Sequence, residues 1–519
     1  MNAATAAGNL DPIQADSGFP SRSAAKALGL IYDTCGRYMD DATKQATFAT
    51  MNAWFDWVKV SAFDANGPAQ SNYFGGHLLG MGIMGLASAG ENPRGQEIAN
   101  WARTQFDATV NAAFNTGLFQ GGYLIEGSTY GANHYVRLLG YMAAVKSATN
   151  EDLVAGRGYG PRLVHGLIYQ FKPNRWQLGD EADMPGDWVG ILDPTLLMML
   201  PSLCGGTPEA GYAQWLFQHL LPPPNSAAGI DSATRLLWYD PTVTPVDYRS
   251  MLPTTYRSAG DNHVITRSDW TDSAVWTSFA AGSEWWTGHQ LKWAGHLAIA
   301  RGQDYLLVNS GQWKGANGYT GSPSSFDFQS WRANTLDYPT TWTGGYAGGQ
   351  GASGVSHVTG GGSGADYTWT STDITSAYSR ATDVTLALRT VVTFTSGTSV
   401  VFTRVVGSQT KTLNWHGNLN GPWQCGGSAC TSTVGSSKLT VTALGHTLTM
   451  TPDPVSSTDW STVTYRASET DSRGDATFID VLQPTAATAT PETVQWIGNG
   501  AQVGWRTVTF DANGTPAVN

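Results

Sequence analysis

Leu221-Pro222-Pro223-Pro224-Asn225 divides the chain into two kinds of sequence. Proline lacks an amide hydrogen and its ring collides with the preceding turn, so three in a row end any helical pattern. Upstream, from Ser21 to Leu221, apolar residues recur at three- and four-residue steps between short polar turns. This predicts helices over 22–38, 43–61, 75–89, 93–115, 132–147, 159–170, 194–201 and 208–220. Pro93 and Pro208 fall where a first-turn proline belongs. Successive helices of this length read as antiparallel hairpins in a bundle, solenoid or toroid.

Beyond Asn225 the period becomes that of strands. Asn262-His263-Val264-Ile265-Thr266-Arg267, Ala274-Val275-Trp276-Thr277-Ser278-Phe279, His296-Leu297-Ala298-Ile299-Ala300 and Tyr305-Leu306-Leu307-Val308 are rich in apolar and β-branched residues. Further strands are predicted over 385–394, 399–406, 438–443, 447–452 and 494–498. Gly, Ser and Thr punctuate them, which predicts stacked antiparallel sheets. The chain is thus α+β, with a helical domain over 1–225 and a β domain over 226–519. The glycine-rich stretch 344–364 reads as a long loop, without the Lys-Ser/Thr ending of a phosphate cradle.

A chain of 519 residues exceeds one ordinary core and has material for a deep cleft. Charged residues are only 13% while Gly, Ser, Thr and Trp abound, as on an extracytoplasmic surface kept polar by hydroxyls and amides. A secreted or periplasmic monomer is expected, although no leader is recognisable at Met1-Asn2-Ala3-Ala4. No run is long and apolar enough to span a bilayer, so no membrane partner is expected. A net charge of −11 argues against nucleic acid, and it means that an anionic partner needs a local basic patch. Arg137, Lys172, Arg175, Lys292 and Arg332 are the candidates, whereas Arg267 and Arg301 lie inside strands where carboxylate partners would account for them. Cys425 and Cys430 could close a small loop in an oxidising compartment, and Cys35 and Cys204 read as buried helical thiols. No Cys/His spacing fits a structural zinc module.

Twenty-one tryptophans are the first functional signal, because indole faces stack on the C–H faces of sugar rings. The core claims most of them and a cleft the rest. Three segments gather polar groups. Ser71-Asn72-Tyr73-Phe74-Gly75-Gly76-His77-Leu78-Leu79-Gly80 places an amide and an imidazole near a helix start, with small glycines that leave room for a ligand. The alternative is that Asn72 caps the helix and His77 is a satisfied interior histidine. Glu126-Gly127-Ser128-Thr129-Tyr130-Gly131-Ala132-Asn133-His134-Tyr135-Val136-Arg137 leads from a turn into a helix, with Tyr130 free in the turn and Tyr135 able to face the core. The third, Glu284-Trp285-Trp286-Thr287-Gly288-His289-Gln290-Leu291-Lys292-Trp293-Ala294-Gly295-His296, combines indoles with hydrogen-bonding groups, as a polar sugar site requires.

This last segment, continuing as Leu297-Ala298-Ile299-Ala300-Arg301-Gly302-Gln303-Asp304-Tyr305-Leu306-Leu307-Val308-Asn309-Ser310-Gly311 and followed by Arg332-Ala333-Asn334-Thr335-Leu336, resembles the heparinase II/III-like polysaccharide lyases. In that family a His-Gln-His-x-Asp-Ala-Gly stretch enters a strand, a Leu-x-Asp-x-Gly strand follows, and His-Asn-Thr comes later. The Glu126–Tyr130 and Asn72–His77 stretches are similar to the family's helical motifs. The resemblance implies an incomplete (α/α) toroid followed by a β-sandwich, and cleavage of a uronic-acid-containing anionic polysaccharide by β-elimination without a cofactor. That reaction needs the uronate carboxylate neutralised, a base for the C5 proton and an acid for the leaving oxygen. By the resemblance His289 is the catalytic histidine, Tyr130 the acid or acid/base with Tyr135 as fallback, and Asn72 and His77 the groups that hold the carboxylate and assist proton transfer. Tyr135, Arg137, Trp286, Gln290, Lys292 and Trp293 would contact the substrate.

Several family members hold zinc through the second His of His-Gln-His, the Asp of Leu-x-Asp and the His of His-Asn-Thr. Here those positions are Leu291, Asn309 and Ala333, so no metal is expected, and Asn309 and Asn334 would have to hold the loop by hydrogen bonds. Two rivals stand beside this reading. A toroidal glycoside hydrolase would need two opposed carboxylates, for which Glu126, Asp180, Glu181, Asp183 and Glu284 are available. A Trp-rich protein could also bind glycans without chemistry.

Overall fold

The computed structural model describes residues 9–173, 178–179, 194–219, 237–282, 293–308, 330, 333–339, 349–350, 356–379, 381–418, 421–452 and 465–519. They fall into two compact units: the described parts of Met1–His165, Leu192–His219 and Ser226–Tyr248, and those of Gly166–Ile191, Leu220–Asn225 and Arg249–Asn519. The first is helical, with α1 (Asp11–Gln14), α2 (Ser21–Cys35), α3 (Asp41–Ser61), α4 (Asn72–Ser88), α5 (Gly95–Gln105), α6 (Asn111–Thr116), α7 (Ala132–Thr149), α8 (Tyr159–Gln170), α9 (Pro194–Leu203) and α10 (Pro208–Gln218). The last turn of α8 counts with the second unit. Helix α3 starts as helix ends require: Asp40, in extended backbone, accepts from the Thr43 amide at 2.7 Å. Helix α4 is of another kind. It has no polar face, packs against α2, α5 and α7, and contributes Met81 and Met84 to a core with Tyr32, Phe48, Trp54, Phe55 and Ile98. Its glycines permit that crowding. A Cβ on Gly85 would lie 2.4 Å from the Ala99 backbone nitrogen, and no side chain there could be accommodated.

Three expectations change here. The helix predicted over 93–115 is α5 and α6 joined by a π turn, Phe106–Val110, which keeps Phe106 and Val110 buried. Pro93 stands before the N-cap Arg94, while Pro208 does take the first turn of its helix. Cys35 is exposed at the end of α2, whereas Cys204 is buried. The proline run falls outside the described residues. The helical unit continues to Tyr248, whose ring meets Trp215 edge-on at 5.2 Å.

The second unit carries antiparallel sheets. β1 (Thr255–Arg257), β2 (His263–Arg267), β3 (Val275–Ala280), β4 (Leu297–Arg301) and β5 (Asp304–Leu307) form one sheet in chain order. β6 (Leu336–Asp337), β11 (Lys411–His416), β15 (Thr449–Pro452) and β16 (Tyr465–Asp471) form a second, and β18 (Val494–Trp496), β19 (Gly500–Val503), β20 (Arg506–Phe510) and β21 (Pro516–Val518) a third. The largest contains β7 (His357–Ser363), β8 (Tyr367–Asp373), β9 (Leu386–Phe394), β10 (Ser399–Val406), β12 (Gln424–Gly426), β13 (Ala429–Val434), β14 (Ser437–Leu444) and β17 (Asp475–Ala486). β9 and β10 read as continuous apolar runs because both faces of this sheet are covered. Val391 and Val401 enter a core with Phe279, Leu307, Leu413 and Trp415; Val392, Val400 and Phe402, one step out of phase, enter another with Val503, Val508 and Phe510. The stretch expected to be a loop ends in the edge strand β7. Its glycines are covered rather than slack: a Cβ on Gly360 would sit 2.9 Å from the Trp369 ring and one on Gly361 2.6 Å from the Arg257 guanidinium. Arg267 donates to the carbonyls of Ile168 at 3.4 Å, Tyr169 at 3.3 Å and Phe171, closing the C-terminal end of α8. Cys425 and Cys430 face each other across β12 and β13 and are disulfide-bonded.

One buried amide ties this unit together. Asn334 Nδ2 donates to the carbonyls of Leu297 at 2.9 Å and Val308 at 2.7 Å, and its Oδ1 accepts from the His416 amide at 2.6 Å. Its own backbone N–H donates to His296 Nδ1 at 2.9 Å. Asn334→Ala strands two carbonyls and an amide inside the protein, so stability should fall by about 3 kcal/mol. The denaturation midpoint should drop with an unchanged slope; a drop below about 0.5 kcal/mol would show that the neighbours re-pair.

The first of the two cores also buries charge. Arg389 on β9 and Asp480 on β17 share it with Glu469 on β16, all essentially inaccessible, and the Arg389 guanidinium lies 5.2 Å from the Trp415 ring. His446 Nδ1 faces Glu469 at 3.5 Å and its Nε2 faces Asp471 at 3.2 Å. Two carboxyls against one guanidinium leave one negative charge in excess. Burial, reinforced for Glu469 by the Asp480 charge, raises both carboxyls, so the folded protein holds a proton that the unfolded chain releases. Stability is therefore full below the ordinary carboxylate range and is lost as pH rises through the raised values. Buried His77, His134 and His296 act oppositely, but only below the ordinary histidine value of 6.5. Above pH 6.5 the melting temperature should fall until the held proton is released, by up to about 1.4 kcal/mol of stability per pH unit for each proton held, and then level off. Glu469→Gln should flatten that slope, and parallel curves would refute the shared proton.

Candidate active site

The start of α4 collects the polar groups of the helical unit. Ser71 occupies the N-cap without a capping bond from its side chain, so the first amides of the helix need another acceptor. Glu126 supplies it. Its Oε2 accepts from the Asn72 backbone at 3.2 Å and its Oε1 lies 3.5 Å from Asn72 Nδ2, a buried carboxylate at the positive end of a helix. From the other side Arg22 Nη1 donates to Asn72 Oδ1 at 3.0 Å, while its Nε donates to the Phe19 carbonyl at 2.8 Å. Asn72 is thus a buried residue held by two charged side chains, not the cap of its helix.

The following residues Gly75 and Gly76 were expected to leave room for a ligand. They leave room for protein instead: a Cβ on Gly75 would meet His134 Nδ1 at 2.4 Å, and one on Gly76 would meet Arg22 Cβ at 2.8 Å. His134 Nε2 donates to the Ala69 carbonyl at 2.7 Å, and its Nδ1 is buried without a partner among the described residues. Burial, followed by the charge of Arg137, brings the His134 pKa down to about 3, so the ring is neutral and Nδ1 is a bare acceptor. Burial and Arg137 likewise lower Arg22 to about 9, which leaves it cationic at neutral pH. Tyr130, half-buried, lies in the π turn Gly127–Gly131 between Glu126 and the start of α7.

His77, expected to assist proton transfer, belongs to the fold. It is fully buried, with Nδ1 2.6 Å from the Ser21 hydroxyl and Nε2 3.0 Å from the Phe63 carbonyl, and burial lowers its pKa to about 4. Tyr135 is likewise corrected from substrate contact to packing: its hydroxyl donates to the Tyr123 carbonyl at 3.0 Å and its ring lies among Phe114 and Phe119. Arg137 is half-buried on α7, near enough to act on both His134 and Arg22. In the second unit Trp293 is 1% exposed, stacked on His296 at 5.8 Å and edge-on to His263 at 5.6 Å, so it is a core indole and not a sugar platform. Lys172 is buried over the Tyr305 ring at 3.4 Å rather than displayed to an anion. Ala333 is buried. His289, Trp286, Gln290 and Lys292 lie outside the described residues, as do Arg175, Arg332, Leu291, Asn309, Asp180, Glu181, Asp183 and Glu284.

The sequence reading gave no role to Arg22 or His134, and saw Glu126 as the first residue of a stretch similar to a family motif and as an acid available to a hydrolase. His134 was within reach, one helical turn beyond Tyr130. Arg22 carried no local signal, since its partner Asn72 is fifty residues away. Together these groups give a rigid amide, a neutral imidazole, a guanidinium and a carboxylate around the start of α4, with the charge of Arg137 acting on His134 and Arg22.

No protein-family model and no curated protein matches the chain. Solved structures do match, and they define a heparinase-type polysaccharide lyase fold. The crystal structure of heparinase III superposes with a TM-score of 0.63 at 11% identity, over 96% of this chain and 74% of that one. A heparan sulfate lyase from Pedobacter heparinus gives a TM-score of 0.58 at 11% identity, over 97% of this chain and 83% of that one. At such identities the likeness is one of fold.

Proposed function

We propose that the chain is a polysaccharide lyase that cleaves a uronic-acid-containing anionic polysaccharide by β-elimination without a metal. In this reading the helical unit is an incomplete (α/α) toroid and the β unit a sandwich. The observation that carries it is the amide of Asn72, fixed between Arg22 and Glu126 beside the Tyr130 turn. Asn72 holds the uronate carboxylate, and its fixed donor lowers the cost of negative charge that develops as C5 loses its proton. Tyr130 and His289 exchange the protons. The base takes the C5 proton, the electron pair forms a C4–C5 double bond, and the oxygen at C4 leaves and is protonated. Trp286, Gln290 and Lys292 are assigned to substrate contact by their place beside His289. The Cys425–Cys430 bond supports a secreted or periplasmic location, and a monomer suffices.

Glu126 speaks against the hydrolase alternative, because both its oxygens serve the start of α4. A panel of uronate polysaccharides should yield products with the ultraviolet absorbance of a conjugated double bond, unchanged after dialysis against a chelator. Reducing ends without that absorbance would favour a hydrolase, and binding without cleavage a glycan-binding protein.

A further inference from the structure

We propose that Arg22 is a positioning residue for this elimination: its guanidinium locks the Asn72 amide so that one Nδ2 hydrogen faces Glu126 and the other is offered to the substrate carboxylate. The inference rests on the lyase reading and deepens it. Its basis is donor and acceptor chemistry. Arginine can only donate and an ionised carboxylate can only accept. Arg22 Nη1 lies 3.0 Å from one end of the Asn72 amide, so that end is oxygen; Glu126 Oε1 lies 3.5 Å from the other, so that end is nitrogen. A flipped amide would set NH2 against a guanidinium and C=O against a carboxylate, and both contacts would turn repulsive. Asn72 therefore presents a donor and no acceptor, which suits a carboxylate oxygen and discriminates against a ligand group that must itself donate.

The clamp is rigid. Arg22 is 8% exposed, its Nε is tied to the Phe19 carbonyl, and its Cζ sits 3.2 Å from the Phe19 ring centroid. Glycine at position 76 is what allows it alongside the first turn of α4. Arg22 Nη2 has no partner among the described residues, so the guanidinium keeps donor capacity and charge beyond what Asn72 uses.

A double-mutant cycle separates this role from a structural one, because a residue that acts only through another loses its effect when that partner is gone. Wild type, Arg22→Met, Asn72→Ala and the double variant are compared by kcat/KM on a glucuronate-containing polysaccharide and by melting temperature. Arg22→Met should lower kcat/KM by about a hundredfold, mainly in kcat, and by less than about twofold in the Asn72→Ala background. Arg22→Lys, which keeps a donor, should recover part of the loss. Equal losses in both backgrounds, or a loss fully matched by thermal unfolding at the assay temperature, would overturn the proposal. If wild type yields no unsaturated product, the lyase reading is what fails. The same cycle, read by calorimetric binding of a glucuronate tetrasaccharide, then decides the role of Arg22: non-additive losses support the clamp, additive losses or unchanged binding in Arg22→Met reject it.

Discussion

Tyr130→Phe is expected to lower kcat by about a thousandfold while KM stays within about threefold. The substitution removes one oxygen from a half-buried ring and preserves the aromatic volume, so the π turn should persist. What disappears is the proton carried by the hydroxyl. A loss confined to kcat marks a group that acts in the transition state and not in ground-state binding. Tyr135→Phe is the control. Its hydroxyl serves the Tyr123 carbonyl in the core, so it should cost about 1 kcal/mol of stability and little turnover. Steady-state kinetics with thermal melts check both, and the reverse pattern would exchange the roles of the two tyrosines.

Asn72→Ala should lower kcat/KM by about a hundredfold to a thousandfold, the range for loss of one fixed donor to developing negative charge. Asn72→Asp should be at least as damaging, although it is nearly the same size. It places a carboxylate against Glu126 and replaces a donor with an acceptor where the substrate carboxylate must sit. Arg22 would then be drawn into an ion pair with the new side chain. Activity of the Asp variant near that of wild type would refute carboxylate binding by this residue.

Much of the architecture was legible because the chemistry of each region is local. The 3.6-residue period gave the helices, and runs such as Ser399–Val406 match their strands because apolar side chains fill both faces of the sheet. Legibility failed where tertiary contact decides. β17, with Asp480 and Gln483 buried among apolar neighbours, and β11, with Lys411 and Asn414 buried, do not look like strands until their partners cover them. β7 looked like a loop because its glycines are recognised only by the rings that lie across them. The same division holds at the candidate site. Asn72 and Tyr130 were assigned only through the family resemblance, and nothing local distinguishes a histidine that serves the fold, as His77 does, from one that could serve chemistry. That distinction lies in the Ser21 hydroxyl and the Phe63 carbonyl, which occupy both of its ring nitrogens.

The most direct test of the central claim is the mass of the fragments produced from a glucuronate-containing polysaccharide in heavy-oxygen water. Elimination predicts fragments whose masses sum to that of the intact chain, with an unsaturated ring at each new non-reducing end and no label beyond the slow exchange of reducing-end hydroxyls. Fragments that gain one labelled water per cleavage would contradict it and show hydrolysis instead.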